Sequence, residues 1–478
     1  MLKGASLLEL KSKALAFFLL ALYVRLVYLF LVVPVDWIGD SYHHWQIAWY
    51  TLNIGLSHGR MWDLKGCEYY WPPLPALFEA FLMWMFHSPS ILFMRVANIV
   101  FSSVSVVLCY LICRKYGEGV GISLAASMSF FPFIVNYDVL AIHEPMMIFF
   151  ALLGIWLYFK GRDFYAGLSI GLSYLCHFAT YLLAPLLGLL YVIHHRSTTR
   201  LIPFATGFAL VYIPYAYMLY LHTGDALYNV HCLLTFTILG STAAMRSPLS
   251  PIVGPALLVT AIVTLLITVR KVSKLIPMAV IFSGYALCWG VLITFIGAPF
   301  SPYEMRYFVL PFTLGLFFLS SGLNRVPFFR LSAKVKRVKI HVSSIVLALF
   351  SISLLITLTP NYAGLQNAVQ YSFGVADYIG EYYTGGTIIS PLPDVTYRLT
   401  TSWHVPPQRI LGPIYCPTDY SGKMTWLRKH NVTLLLWVPG YESDRVFPEL
   451  GSGKDQPPFF LIRSFSHTLL YKVRWDEE

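Results

Sequence analysis

In the stretch WIGDSYHHW an aspartate, Asp40, is followed at three and four residues by His43 and His44, just past a long apolar run. A carboxylate there has two readings. It caps the N-terminus of the helix that follows, or it is a general base that takes a proton from an incoming hydroxyl. One carboxylate can do both. The two histidines read first as interfacial side chains, with metal ligation as the alternative.

Two further stretches hold polar groups where apolar ones are expected. NYDVLAIHEPMMIFF carries Asp138, His143 and Glu144. Glu144 lies inside an apolar run, where an ionised carboxylate is costly without a partner. Pro145 suits the first turn of a helix and would keep Glu144 near the membrane rim. SPYEMRYFVLPF carries Glu304, Arg306 and Tyr307. The planar fork of an arginine matches phosphate oxygens; the plainer reading is an interfacial arginine snorkelling to headgroups. Arg25 sits near the middle of the first apolar run, where insertion costs about 2.5–3.5 kcal/mol, so it should face an acid or a lipid phosphate. Glu144 is one candidate partner. Arg95, at the start of the second run, is the weakest of the three arginines. A base, a second acid and arginine beside apolar scaffolding suit chemistry on a lipid phosphate. A polyprenyl phosphate departs without needing a proton, so one base on the acceptor and positive charge on the leaving group suffice.

Whether these residues share a face depends on the membrane. Only 12% of the 478 residues are charged and 57% are hydrophobic, against about 25% charged in a soluble domain. With repeated apolar runs near the spanning length, this means a polytopic α-helical membrane protein. The expected spans are eleven: 14–33, 91–113, 119–136, 139–159, 164–176, 178–193, 201–221, 251–269, 275–297, 307–323 and 341–359. The fifth and sixth are short and would cross only as a distorted pair. The first is too long for a signal-peptide core and reads as a retained anchor. With the N-terminus inside, the cytoplasmic segments carry 18 Lys/Arg and the opposite loops before residue 361 carry four. That bias fixes the expected orientation and puts the C-terminal tail outside. Acids run the other way: Asp36, Asp40, Asp63, Glu68, Glu79, Asp138, Glu144, Asp225 and Glu304 fall at or near the outer face.

The net charge of +11 does not point to nucleic acid, because the excess lies in short loops and the tail from Leu365 holds 10 Lys/Arg and 11 Asp/Glu. The seven cysteines form no metal or disulfide spacing; Cys109 and Cys113, one helical turn apart, read as packing, and a Cys67–Cys416 bridge is left open. In the first outer loop, Tyr42, Trp45, Trp49, Leu52 and Leu56 recur at helical spacing, as in a helix lying in the interface. YYWPPLPALFEAFLMWMF reads as a second interfacial element. In the tail, NAVQYSFGVADYIGEYY and YSGKMTWLRKH read as helices, and TIIS, VTLLLWV and HTLLYKVRW as strands, giving a small α/β domain. It has no Gly-rich phosphate loop. Asn431-Val432-Thr433 is a glycosylation sequon.

Taken in order, Arg25, Asp40 with SYHHW, WPPLPALFEAF, FMRVANIVFS, HEPMMIFF, FYAGLSIGLSYLCHFATYLLAPLLGLL, MRYFVLP and an outer α/β domain resemble the GT-C membrane glycosyltransferases. The dolichyl-phosphate-mannose–protein mannosyltransferases and the lipid A aminoarabinose transferases are the most similar of these. The resemblance implies a GT-C transmembrane domain over 1–360 and an extracytoplasmic α/β domain over 361–478. It implies Asp40 as catalytic base, Glu144 as a second acid near the lipid phosphate or a metal, and Arg306 on the donor phosphate. Tyr307, Arg25, Arg95, His143, Glu304 and Asp138 complete the substrate-binding candidates. Ser41 follows Asp40 where relatives often carry a second acid, and Glu144 stands where they usually have Asp. Both departures leave a divalent metal open, with His43, His44 and Glu144 as candidate ligands.

The expected activity is transfer of a mannose-like sugar from a polyprenyl- or dolichyl-phosphate donor to a hydroxyl of a protein, lipid or glycan acceptor. It would take place at the outer face of a cell membrane, or at the lumenal face of the endoplasmic reticulum in a eukaryote. A secondary transporter fits less well, since the polar groups cluster at one rim and no repeat of the early half returns later. A non-catalytic membrane subunit would make Asp40 dispensable.

Overall fold

The computed structural model describes residues 7–55, 71–193, 198–239, 250–271, 273–296, 309–326, 332–335 and 338–475. Among them the helices are α1 Leu7–Leu31, α2 Gly39–Asn53, α3 Leu74–Phe86, α4 Leu92–Cys113, α5 Glu118–Phe130, α6 Pro132–Asp138, α7 Glu144–Phe159, α8 Asp163–Tyr174 and α9 Leu183–Ile193. There follow α10 Thr198–Thr223, α11 Tyr228–Leu239, α12 Ser250–Lys271, α13 Ile276–Val291, α14 Val309–Leu323, α15 Val342–Tyr382, α16 Pro393–Trp403, α17 Tyr420–Lys429 and α18 Glu442–Val446. The strands are β1 Ser332–Val335, β2 Val338–His341, β3 Thr387–Ile389, β4 Ile410–Leu411, β5 Val432–Trp437, β6 Phe459–Ser464 and β7 Leu469–Val473.

The chain divides into two compact units. Unit 1 comprises Met1–Pro34, Tyr69–Pro75 and Arg95–Ala363; unit 2 comprises Val35–Glu68, Ala76–Met94 and Gly364–Glu478. Most of the segment between α1 and α4 thus groups with the tail, while Tyr69–Pro75 groups with unit 1.

Unit 1 is helical because a chain in lipid must satisfy its backbone within each segment. Five of the described helices are long and apolar enough to cross a membrane: Glu9–Leu31, Leu92–Tyr116, Thr198–Thr223, Ile276–Thr294 and Val342–Tyr382. A sixth crossing results if the bent pair Glu118–Phe130 and Pro132–Asp138 is one span. The expected span at 119–136 is therefore not straight. It bends by 58°, because Pro132 offers no N–H and holds Phe131 in an extended conformation (φ −66°, ψ 119°). The expected span at 139–159 starts later, at Glu144, after a turn. Several of the remaining apolar helices have 10–17 residues, so eleven crossings stand as the expectation from sequence.

Small residues set the closest helix approach in this unit. A Cβ on Gly167 of α8 would collide with the Phe204 carbonyl oxygen of α10, and one on Gly207 of α10 would collide with the Phe164 carbonyl oxygen of α8. Such contacts hold membrane helices together where water gives no hydrophobic drive. Ion pairs join segments that charge counting assigns to a single face. Lys13 reaches Glu118 at 3.0 Å, and Arg200 reaches Asp163 at 2.7 Å, with the Tyr191 hydroxyl donating to the same carboxylate at 2.8 Å.

In unit 2 a five-stranded sheet runs in the order β4-β3-β5-β7-β6. β3 is parallel to β4 and β5, while β7 is antiparallel to β5 and β6. Alternation along the strands splits the core into two layers. Ile388, Leu434, Leu436 and Leu470 face Val375 and Ile379 of α15 and Val395 and Leu399 of α16. Ile389, Leu435 and Tyr471 face Leu427 of α17 and Val446 of α18. The expected α/β tail is present, with two differences. The last span and the first tail helix are one 41-residue helix, α15, and α16, α18, β4 and β6 were not anticipated. Cys416 is a buried free thiol, and Cys67 lies outside the described residues.

Candidate functional site

Asp40 lies in the first turn of α2, within unit 2. It is not the cap. Ile38 occupies that position without a side-chain cap bond, and the preceding carboxylate, Asp36, accepts from the Ile38 N–H at 3.1 Å. Asp40 is half-buried, and a negative charge so placed is favoured by the helix dipole. The stripe read as interfacial turns inward instead: Tyr42 and Trp45 are buried, with Trp45 Nε1 donating to the Pro89 carbonyl at 2.6 Å. Only Leu52 keeps an exposed surface among the fully described members, and Leu56 lies outside the described residues. The reason is that protein, rather than lipid, covers this face. His44 is buried and His43 is half-buried beside it. Asp36 and Glu79 are both buried in the same unit. Burial, reinforced by the negative charge of Asp36, pushes the Glu79 carboxyl well above the usual carboxylate range.

Arg25, Asp138, Arg95, His143 and Glu144 all belong to unit 1. Arg25 is fully buried and pairs with Asp138, not with Glu144. Its Nε donates to Asp138 Oδ2 at 2.8 Å and its Nη2 lies 2.6 Å from the same oxygen. The remaining donors reach the Ala21 and Met128 carbonyls at 3.2 Å. Arg95 is likewise committed to backbone. It donates to Val139 O at 2.7 Å and Pro34 O at 2.8 Å, and also to Val33 O. One turn along α4, Asn98 donates to the carbonyls of Leu140 and Ile142 at 2.7 and 2.8 Å. A non-helical turn in a buried setting needs such partners. Here α4 supplies them, fixing the turn that leads into Glu144.

Glu144 opens α7 with Pro145 behind it, as expected, and it is buried. His177, which sequence reasoning passed over, faces it with Nε2 4.0 Å from Glu144 Oε1. The His177 Nδ1 accepts from the Ala179 N–H at 3.0 Å, so in the neutral ring the hydrogen sits on Nε2, toward the carboxylate. Trp71 closes the group, its ring 5.7 Å from His143, edge-on, and 5.8 Å from His177. The Leu74 N–H bonds the Leu175 carbonyl at 2.9 Å and ties the two loops together. The available signals were Trp71 ahead of two prolines and a histidine within an apolar run.

Glu304, Arg306 and Tyr307 lie outside the described residues. Among the described residues no three His, Cys, Asp or Glu side chains gather in a metal-holding group.

No protein-family model and no curated protein matches the chain. Solved structures do. ArnT from Cupriavidus metallidurans in the apo state aligns over 97% of this chain and 98% of that one, with a TM-score of 0.61 at 11% identity. Its complex with undecaprenyl phosphate gives 0.58 over 96% and 98%, at 12% identity. The Archaeoglobus fulgidus oligosaccharyltransferase in complex with Zn and sulfate gives 0.52 over 95% of this chain and 72% of that one, at 15% identity. At such identities the likeness is one of fold. Extending over almost the whole of both chains for ArnT, it shows that this chain shares the fold of ArnT.

Proposed function

We propose that the chain is a membrane glycosyltransferase that moves a sugar from a polyprenyl-phosphate donor to an acceptor hydroxyl. The observation that carries this reading is the end-to-end fold likeness to ArnT, a protein seen with undecaprenyl phosphate bound. The acid at the start of α2 supplies the base the chemistry requires. In this reading the Asp40 carboxylate takes the hydroxyl proton while the acceptor oxygen bonds to the anomeric carbon. The bond from that carbon to the phosphate oxygen breaks, its electron pair leaves with the lipid phosphate, and the configuration inverts. Glu144, held by the turn that Arg95 and Asn98 fix, is the second acid. Arg306, with Tyr307, stabilises the departing phosphate, and Glu304 is a further substrate-binding candidate. Arg25 and Arg95 serve as framework. The zinc of the Archaeoglobus fulgidus complex keeps a divalent ion among the additives to include in assays.

The test is transfer from radiolabelled polyprenyl-phosphate mannose, with and without added divalent ions, to acceptors in native membrane extract. Purified protein should label an acceptor whose glycosylated form is absent from a deletion strain. No labelled product with mannose or other lipid-phosphate sugars would sink the reading. The sugar is mannose-like, and the acceptor is a protein, lipid or glycan.

The same reading places Asp40 and the tail on the extracytoplasmic face, following the 18-to-4 charge bias. A cysteine engineered at the exposed Tyr420 should react with an impermeant maleimide in intact cells. Protection of that cysteine until the cells are lysed would reverse the orientation.

A further inference from the structure

The helix that carries Asp40 is gripped from behind by the tail. At about 100° per residue, Tyr42 and Trp49 point nearly opposite Asp40, with Trp45 about 40° further round on the Trp49 side. That rear face is where unit 2 closes on α2. The Tyr397 ring of α16 lies 4.9 Å from Trp45, edge-on, and 5.2 Å from Tyr42. Phe373 of α15 completes the cluster, 5.9 Å from Tyr42 and 6.1 Å from Tyr397. Further along the helix, the Tyr50 hydroxyl donates to the Ile410 carbonyl of β4 at 3.1 Å. Below Tyr42, its own hydroxyl donates to the Asp36 carbonyl at 2.9 Å.

The gripping helix is itself fixed. Val395 and Leu399 of α16 are buried in the sheet core. Arg398 forms two bonds to Asp377 of α15, at 2.9 and 3.0 Å, and Trp403 Nε1 donates to the same carboxylate at 2.9 Å. The Arg398 hydrogen bonds hold the Asp377 carboxyl below its ordinary range, so the tie persists at neutral pH. Aromatic pairs of this geometry contribute beyond the area they bury. Here they converge on one ring, Tyr397.

We propose that the C-terminal domain positions the catalytic base, with Tyr397 as the positioning residue that sets the placement of α2 and through it of Asp40. This rests on the reading of Asp40 as the base. A catalytic group displaced by about 1 Å can lose on the order of 10²-fold in rate, so a brace of this kind acts on turnover and leaves donor affinity alone.

Full-length protein carrying Tyr397→Ala or Tyr397→Phe separates the possibilities. Hydrogen exchange of the peptide spanning residues 39–53 should quicken at least about tenfold in the Ala variant, with exchange in α4 and α10 unchanged. Turnover at saturating polyprenyl-phosphate mannose should fall by about 10–100-fold while the Kd for undecaprenyl phosphate stays as in the wild type. Phenylalanine keeps the ring and should restore both readouts. Wild-type exchange of the 39–53 peptide in the Ala variant would overturn the brace. Faster exchange with undiminished turnover would overturn its catalytic role. A wild-type protein inert toward lipid-phosphate sugars would instead remove the catalytic reading itself, with the exchange measurement still deciding the brace.

Discussion

Asp40→Asn should lower sugar transfer by about 10²–10⁴-fold while binding of undecaprenyl phosphate survives. The substitution is nearly isosteric, and the cap position of α2 belongs to Ile38. What changes is the capacity to take a proton, together with a first-turn charge that is worth about 0.3–1 kcal/mol to the helix. The helix term is too small to account for a hundredfold loss. Transfer followed with radiolabelled donor in reconstituted membranes gives the rate, and lipid-phosphate binding to the same preparation gives the control. Near-normal turnover would leave Asp40 as a helix-favouring acid. The base would then be sought at Glu144, since Asp138 is already held by Arg25 at 2.6–2.8 Å.

Asp138→Asn should destabilise the protein by about 3–5 kcal/mol, because it leaves the guanidinium of Arg25 buried without a counter-charge. Arginine cannot escape the cost by losing its proton, and both side chains are at least 95% buried. Thermal unfolding in detergent would show a large drop in midpoint. The double variant Arg25→Met, Asp138→Leu removes both charges and should recover most of the loss, as apolar replacements of buried ion pairs often do. If Asp138→Asn instead unfolds like the wild type and binds undecaprenyl phosphate more weakly, Arg25 serves the donor and not the fold.

The comparison of these two residues shows how far the sequence could be read. That Arg25 needs an acid followed from its place in an apolar run. Which acid it takes depends on how α1 meets a helix more than a hundred residues further on, and no local pattern ranks Asp138 above Glu144. The same limit hid His177. A single histidine in an apolar run has no periodicity to mark it; its orientation comes from the Ala179 N–H on one side and Glu144 on the other. Helix α2 was legible from its aromatic spacing, but the occupant of its apolar face was not, because α16 lies more than 300 residues away. In α16 the local signals are Pro393 in the first turn and Asp394 after it. Strand β4 is two residues long, below any length at which alternation is visible. The bend at Pro132 was within reach, since a proline inside an apolar run is a known breaker. The tail strands that were found are the buried ones, where apolar runs are densest.

The crossing of α8 and α10 has a consequence for motion. Packed helices commonly adjust by sliding past one another by an ångström or two. At this crossing Gly167 and Gly207 each receive a carbonyl of the opposite helix. A slide of one residue would replace glycine with a neighbour that has a side chain, and backbone would meet Cβ. The joint therefore has a single register, like a key in a lock cut for it. Any opening of unit 1 to admit a lipid must carry α8 and α10 together as one block, with the displacement taken up at their outer ends.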